Sequence, residues 1–245
     1  MRLALISDIH CNLVALDTVL ANIEKQHVDQ IVCLGDVVGL GPQPRQVLER
    51  LQTIACPVVM GNNDGWVLHP VLKEPPQIDA QYLQDMNVWG SNQLTDADKI
   101  YIKTFQSTIM MSLAENKTLL AYHGSPRSYH EILDSMTPDE QLREAFEGFH
   151  ADIMAGGHTH MQMFRRYKQQ IVFNPGSVGL ALDRAFPTTE ARNAPWAEYA
   201  IVDATTNSLN VELYRIPFDI SAYIDVTLKS GMPHAEWWIG EWNRS

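Results

Sequence analysis

Short β-rich apolar runs at residues 3–6, 31–34 and 58–60 alternate with two stretches of helical spacing. In the first stretch Leu13, Leu16, Val19, Leu20 and Ile23 recur at three- and four-residue intervals, and Val47, Leu48 and Leu51 do so in the second. An apolar stripe at that interval is one face of an α-helix, whereas a short continuous apolar run fits a strand buried on both sides. The order is therefore β-α-β-α-β, which builds a parallel sheet with crossover helices.

From residue 65 to about 105 the chain turns helical and polar. Pro75-Pro76 breaks this stretch, and Thr95-Asp96-Ala97-Asp98 reads as a helix start with a capping box. The whole segment is predicted to be a helical, cap-like insertion over the sheet. Strand-like runs return at 108–113, 118–122, 153–155, 162–166, 171–173, 199–202 and 209–214. Thr137-Pro138-Asp139-Glu140 starts another helix, with Pro in its first turn. Residues 180–195, rich in Pro, Thr and Arg, form a connection long enough to suggest a functional loop.

Composition narrows the class. The chain has 245 residues, 45% hydrophobic and 19% charged, which we read as one globular domain over 1–245. Acidic residues outnumber basic ones 29 to 18, for a formal net charge of −11. Such a balance argues against coating duplex nucleic acid or anionic lipid, which needs a basic surface. No run of about 18 apolar residues offers a membrane span. Cys11, Cys33 and Cys56 are odd in number and lack ligand spacing, so reduced thiols and a cytoplasmic location are expected. Trp237, Trp238 and Trp242 crowd the tail, and with 220–228 they are expected to pack on the chain's own sheet or on a second subunit of a homo-oligomer.

Five places share one grammar: an apolar strand runs straight into a metal-capable side chain. They are Asp8-Ile9-His10, Asp36, Asn62, His123 and His158-Thr159-His160. The carboxyl ends of strands in open α/β sheets line the crevice where ligands bind, so these groups can converge. Two aspartates, one asparagine and four histidines suffice for two cations if one carboxylate bridges. A mixed imidazole and oxygen set suits Mn²⁺, Fe²⁺ or Zn²⁺ better than a dedicated Ca²⁺ or Mg²⁺ cage.

In these residues the chain resembles the calcineurin-like metallophosphoesterase superfamily. That family's pattern runs Asp-x-His, Gly-Asp, Gly-Asn-His-Asp/Glu, His, Gly-His-x-His. Here it reads Asp8-Ile9-His10, Gly35-Asp36, Gly61-Asn62-Asn63-Asp64, His123 and Gly157-His158-Thr159-His160. Asn174-Pro175-Gly176-Ser177-Val178-Gly179 further resembles the small prokaryotic phosphodiesterase branch. The resemblance implies a four-layer αββα sandwich of two mixed β-sheets. It implies one metal on Asp8, His10, Asp36 and His160 and a second on Asp36, Asn62, His123 and His158. Mn²⁺ is the expected ion, with Fe²⁺, Zn²⁺ or Ni²⁺ as substitutes, and a hydroxide held between the ions would attack phosphorus. The implied function is metal-dependent hydrolysis of a small phosphodiester or nucleotide. The alternatives are a phosphomonoesterase and a non-catalytic metal-binding scaffold of the same fold.

One departure matters. The family's histidine after Gly-Asn is Asn63 here, and a carboxamide cannot act as a general acid near neutral pH. It can donate a hydrogen bond to a phosphoryl oxygen, so Asn63 is assigned to catalysis and substrate binding, beside Asp36 and Asp64. His69, His130 and His150 are candidates for the missing acid. Asp64 also suits a turn or supporting role. Asn12 suits either substrate contact or a helix N-cap. Arg127 and Arg184 are the candidates to grip a phosphate, or else solvated surface residues.

Overall fold

The strand β1 (Arg2–Ile6) is followed by α1 (Leu13–Glu24), β2 (Gln30–Cys33) and α2 (Pro44–Thr53). The computed structural model describes residues 1–72, 74–75, 77–184 and 192–243. β1 and β2 pair in parallel, as the alternation predicts. The third run, 58–60, makes only single bridges, Val58 to Cys33 and Val59 to Gln106. Pro57 precedes it without an amide donor, so a regular ladder does not start there.

The first sheet is mixed because β8 (Trp196–Ala204) returns antiparallel to β1 and β9 (Leu209–Pro217) pairs with β8, in the order β2-β1-β8-β9. The second sheet contains β3 (Ile109–Ala114), β4 (Lys117–Ala121), β5 (Ile153–Ala155), β6 (Gln162–Tyr167) and β7 (Gln170–Pro175). Its order is β3-β4-β5-β7-β6, parallel in the middle and antiparallel at both edges.

The two-residue period of the strands makes four layers. In β1, Leu3 and Leu5 face the second sheet and pack with Leu119, Ile153 and Phe173, while Ala4 and Ile6 face Leu16, Val19 and Ile23 of α1. In β4, Leu119 and Ala121 face inward, and Leu120 faces outward toward Leu142 and Phe146. Helices α1, α2 and α7 (Ile220–Lys229) therefore cover one sheet, and α6 (Asp139–Ala145) covers the other. This is the expected αββα sandwich.

The polar stretch forms α3 (Asn62–Leu68), α4 (Ile78–Gln93) and α5 (Asp96–Ile102). Helix α3 starts at Asn62, earlier than the expected residue 65, because the Asp64 carboxylate accepts the Gly61 amide at 3.1 Å and closes the first turn. The capping box on α5 forms as read: Thr95 Oγ1 accepts from the Asp98 amide, and Asp98 Oδ2 accepts from the Thr95 amide. Pro138 occupies the N-cap of α6 rather than its first turn. The tryptophan-rich tail forms α8 (Ala235–Asn243), which packs on α4 and α7, with Trp242 against the core that lies between α7 and the first sheet. Trp238 Nε1 donates to the Tyr223 hydroxyl at 2.9 Å, Trp237 meets Tyr82 edge-on, and His234 contacts Asp85 at 2.8 Å. Among the described residues no helix is long and apolar enough to cross a membrane. Of the loop 180–195, residues 185–191 lie outside the described residues; Leu182 and Asn193 bridge at its base.

Candidate metal centre

Both sheets end in the same place. Chain leaving β1 carries Asp8 and His10, chain leaving β2 carries Asp36, and Asn62 opens α3. From the opposite sheet, β4 runs into His123 and β5 into His158 and His160. Main-chain bonds lash the turns together: Asp8 N–H to Gly35 O at 2.9 Å, His10 N–H to Asp36 O at 3.0 Å, and Gly157 N–H to His123 O at 2.8 Å.

The backbone here is bent into a conformation that L-residues avoid. Asp8, His10, Asp36, His158 and His160 all have φ between 46° and 72°. Each such residue costs on the order of 1–3 kcal/mol and persists only where the surroundings overdetermine it. Neighbouring glycines leave the needed room. A Cβ at Gly61 would collide with Asp36, and one at Gly157 would collide with Ser7 and Asp8.

Two groups of ligand atoms result, Asp8 with His10 and His160, and Asp36 with His123 and His158, each converging within 4.8 Å. In the first, the His10 Nδ1–H donates to Gly39 O at 3.2 Å and the His160 Nδ1–H to Leu180 O at 3.0 Å. Carbonyls only accept, so both rings keep a lone pair on Nε2 in the neutral state. Those two Nε2 atoms lie 3.0 Å apart, a repulsive pair unless a proton or a cation sits between them. Asp8 Oδ1, fully buried and 3.4 Å from His160 Nε2, has no hydrogen-bond partner. A buried carboxylate oxygen left bare beside two bare imidazole nitrogens is the chemistry of a cation site.

The second group centres on Asp36. Its Oδ2 lies 3.5 Å from His123 Nε2 and 3.7 Å from His10 Nε2, so it faces both groups. His123 Nδ1–H donates to Leu34 O at 2.8 Å, leaving Nε2 aimed at Asn62 Oδ1, 3.0 Å away. Charge follows the geometry. Burial and the neighbouring His160 push the His10 imidazole down to about 4. Burial also opposes charge on Asp36, but His123 and His10 outweigh it and hold the carboxyl well below the usual range. Burial opposes charge on His123 as well, yet Asp36 and Asp8 raise it to about 9. The pocket thus keeps two anionic carboxylates away from water, and divalent cations fit it.

The other assigned residues divide. Asn63 is in the cluster, but it grips Asp36 rather than opening toward a substrate: its amide donates to Oδ1 at 2.8 Å and its Nδ2 to Oδ2 at 2.6 Å. Asp64 sits behind. Its Oδ1 accepts the Val37 and Val38 amides and its Oδ2 the Gly61 amide, which makes it a buried brace of the Asp36 loop. Asn12 is fully buried as the N-cap of α1, its Oδ1 accepting from Ala15 N–H and its Nδ2 donating to Gly179 O, which is the cap of its two expected roles. Arg127 spends its guanidinium on Glu131 and the Glu144 carbonyl, and Arg184 pairs with Asp183. Neither is placed on the cluster. His69 and His130 line, together with Asn62, a cavity of about 550 Å³, while His150 lines a different one.

Three supporting residues carried no assigned role. Ser7 Oγ donates to Asp8 Oδ2 at 2.6 Å. Ser177 Oγ donates to Asp8 O at 2.7 Å and accepts the Leu180 amide at 2.8 Å, which positions the carbonyl that orients His160. Asn174 Nδ2 donates to Gly157 O at 2.6 Å. The last two stand in the Asn174–Gly179 motif, the signal that could have found them.

A two-sheet sandwich with imidazoles and carboxylates gathered at its strand ends is the architecture of a metallophosphoesterase. The chain belongs to the calcineurin-like phosphoesterase superfamily, whose domain model matches residues 1–206. An uncharacterized protein of Methanocaldococcus jannaschii, MJ0912, is 26% identical over 245 residues, covering 98% of this chain and 96% of that one. The phosphodiesterase YfcE of Escherichia coli is 27% identical over 190 residues, 74% of this chain and 80% of its own length. The crystal structure of a metallophosphoesterase from Sphaerobacter thermophilus superposes with a TM-score of 0.75 at 25% identity, covering 98% of this chain and 97% of that one. That of the hypothetical protein PH1004 from Pyrococcus horikoshii gives 0.81 at 20% identity, covering 98% and 96%.

Proposed function

We propose that the chain hydrolyses small phosphodiesters or nucleotides in a reaction that requires two divalent cations, Mn²⁺ foremost. The observation that carries this reading is the pair of bare Nε2 atoms of His10 and His160, 3.0 Å apart beside the unpartnered Asp8 Oδ1. Asp8, His10 and His160 would hold one ion and Asn62, His123 and His158 the other, with Asp36 shared. Bound there, the ions supply Lewis-acid neutralisation of phosphoryl charge and a water of lowered pKa. Asn63 keeps the Asp36 oxygens in register, and the braces from Asp64 and Ser177 hold the loops that present the ligands.

A diester is favoured over a monoester because the extra monoester charge calls for guanidinium or ammonium groups. The arginines assigned to that task are engaged by Glu131 and Asp183. The YfcE relative, named a phosphodiesterase, points the same way. Buried thiols at Cys11, Cys33 and Cys56 agree with a reducing, cytoplasmic setting.

The test is hydrolysis of bis(p-nitrophenyl) phosphate and of p-nitrophenyl phosphate by chelator-stripped protein, with and without Mn²⁺. Restoration of diester cleavage is expected. Metal binding without turnover of either ester would move the protein to the scaffold class. Because Asn63 cannot supply a proton, rates on diesters are expected to rise as the leaving alcohol becomes more acidic. A flat dependence would show that another acid serves, and His69 and His130 are the imidazoles in the adjoining cavity.

A further inference from the structure

The α3 surface that carries Asn62 continues past the candidate ligand. Asn62, Gly65, Trp66 and His69 stand at intervals of three, four and seven residues, so they share one side of the helix and its C-cap, and all of them line the cavity of about 550 Å³. The facing wall repeats the interval, with Ala80, Leu83, Gln84 and Asn87 forming one stripe of α4. Tyr129 and His130 close the groove from the loop after His123. That loop is curled so tightly that a Cβ at Gly124 would come within 2.8 Å of the Ser128 and Tyr129 carbonyls.

Gly65 is the telling residue. Glycine in a helix interior costs about 1 kcal/mol relative to alanine. Yet a Cβ there would meet nothing within 4 Å, so packing does not require it. What it does is leave the groove floor clear. The groove is of a size that holds small molecules, roughly 300–1,000 Å³. Among the described residues neither Lys nor Arg lines it, so it is not built for a second phosphate. An indole, a phenol and two imidazoles give it ring faces and hydrogen-bonding edges.

We infer that this groove is the subsite for a planar aromatic substituent of the phosphoester, a nucleobase or an aryl ring, with Trp66 and Tyr129 offering the faces on which it packs. His69 and His130 meet its polar edge. Stacking of this kind contributes enough per ring to change affinity by tenfold or more. The inference rests on the phosphoesterase reading, which places the phosphate at the Asn62 end.

The experiment is isothermal titration of Mn²⁺-loaded protein with matched pairs of ligands. Phenylphosphonate is set against methylphosphonate, which have no ester to cleave, and adenosine 5′-monophosphate against ribose 5-phosphate. Inorganic phosphate is run alongside. The aromatic member of at least one pair is expected to bind at least tenfold more tightly, and a preference confined to adenosine assigns the groove to a nucleobase. Gly65→Leu, a better helix former that fills the floor, is expected to cut the preference below threefold while melting no lower than wild type. Tyr129→Ala is the second variant and is expected to reduce the preference by at least threefold. Equal binding within both pairs, or a preference that survives Gly65→Leu and Tyr129→Ala undiminished, overturns the inference. Failure of Mn²⁺ to restore cleavage of bis(p-nitrophenyl) phosphate overturns the phosphoesterase reading instead, and a ring preference that persists in such protein leaves the groove as a site for aromatic ligands.

Discussion

The two halves of the candidate centre are built to different tolerances. In the half made by Asp8, His10 and His160, each imidazole is anchored through Nδ1 to a backbone carbonyl, and the Asp8 main chain is held by the Ser177 hydroxyl. In the half made by Asp36, His123 and His158, only His123 has such an anchor. His158 is tied through its backbone amide to Asp8, and no ring hydrogen bond to it is found among the described residues. The same half borders the groove through Asn62. Rigid ligands bind an ion in a preformed site, whereas the looser half keeps freedom where a substrate must enter. Two successive affinities should follow, tight at the first half and exchangeable at the second.

The harshest way to break this asymmetry is to remove the group common to both halves. Asp36→Asn is expected to lower kcat/KM for diester cleavage by about a thousandfold or more, roughly 4 kcal/mol of transition-state stabilisation, and to merge the two Mn²⁺ affinities into one weak phase. Titration calorimetry with parallel kinetics checks both. His158→Ala acts on one half only: the tight phase should persist in calorimetry while turnover falls about a hundredfold.

Ser177→Ala sharpens the comparison from the other side. It removes one of the two hydrogen bonds to the Asp8 carbonyl, the other coming from the Gly179 amide, together with the brace on Leu180, so the tight phase should weaken about 10–100-fold with the exchangeable phase unmoved. Equal weakening of both phases would show that the halves are not independent. The smallest effect is a control remote from both. Burial tends to raise the Asp98 carboxyl, but the Thr95 hydroxyl and amide and Arg45 outweigh it and lower it. A lowered acid stabilises the fold above its unfolded pKa, and that contribution disappears as pH falls through the folded value. Asp98→Ala should therefore cost about 1 kcal/mol in denaturant melts at pH 7 and progressively less below about pH 4, with both metal phases unchanged.

The candidate ligands could be read from the chain because each is a side chain of unusual type at the end of an apolar run. Alternation within β1 and β4 likewise announced two-faced strands. What the chain did not announce is mostly backbone. The carbonyls of Gly39, Leu34 and Leu180 decide which imidazole nitrogen is bare, and a carbonyl has no letter of its own. Asn12 and Asp64 were ambiguous because a short polar side chain serves a cap as well as a substrate, and only the amides of Ala15, Val37 and Val38 decide between them. Arg127 is open between a phosphate contact and a surface residue for a related reason, since its partner Glu131 stands four residues on in a loop where helical spacing offers no guide; its exposed pairing with Glu131 is the surface reading. The groove has no signature in the chain because it exists only once the stripes of α3 and α4 face each other.

His10 and His160 come from opposite sheets and are 150 positions apart in the chain. An ion held between them is a crosslink, closing a loop as long as many whole domains. Because the ion leaves when the chain unfolds, it does not restrict the unfolded ensemble as a disulfide does; it stabilises the folded state by mass action, by about 2.7 kcal/mol at a free concentration about a hundred times its dissociation constant. The described cysteines form no such bridge. The ion would then be a reversible staple, one that a chelator withdraws without any redox chemistry, so that the supply of metal sets how long the folded chain lasts as well as what it does.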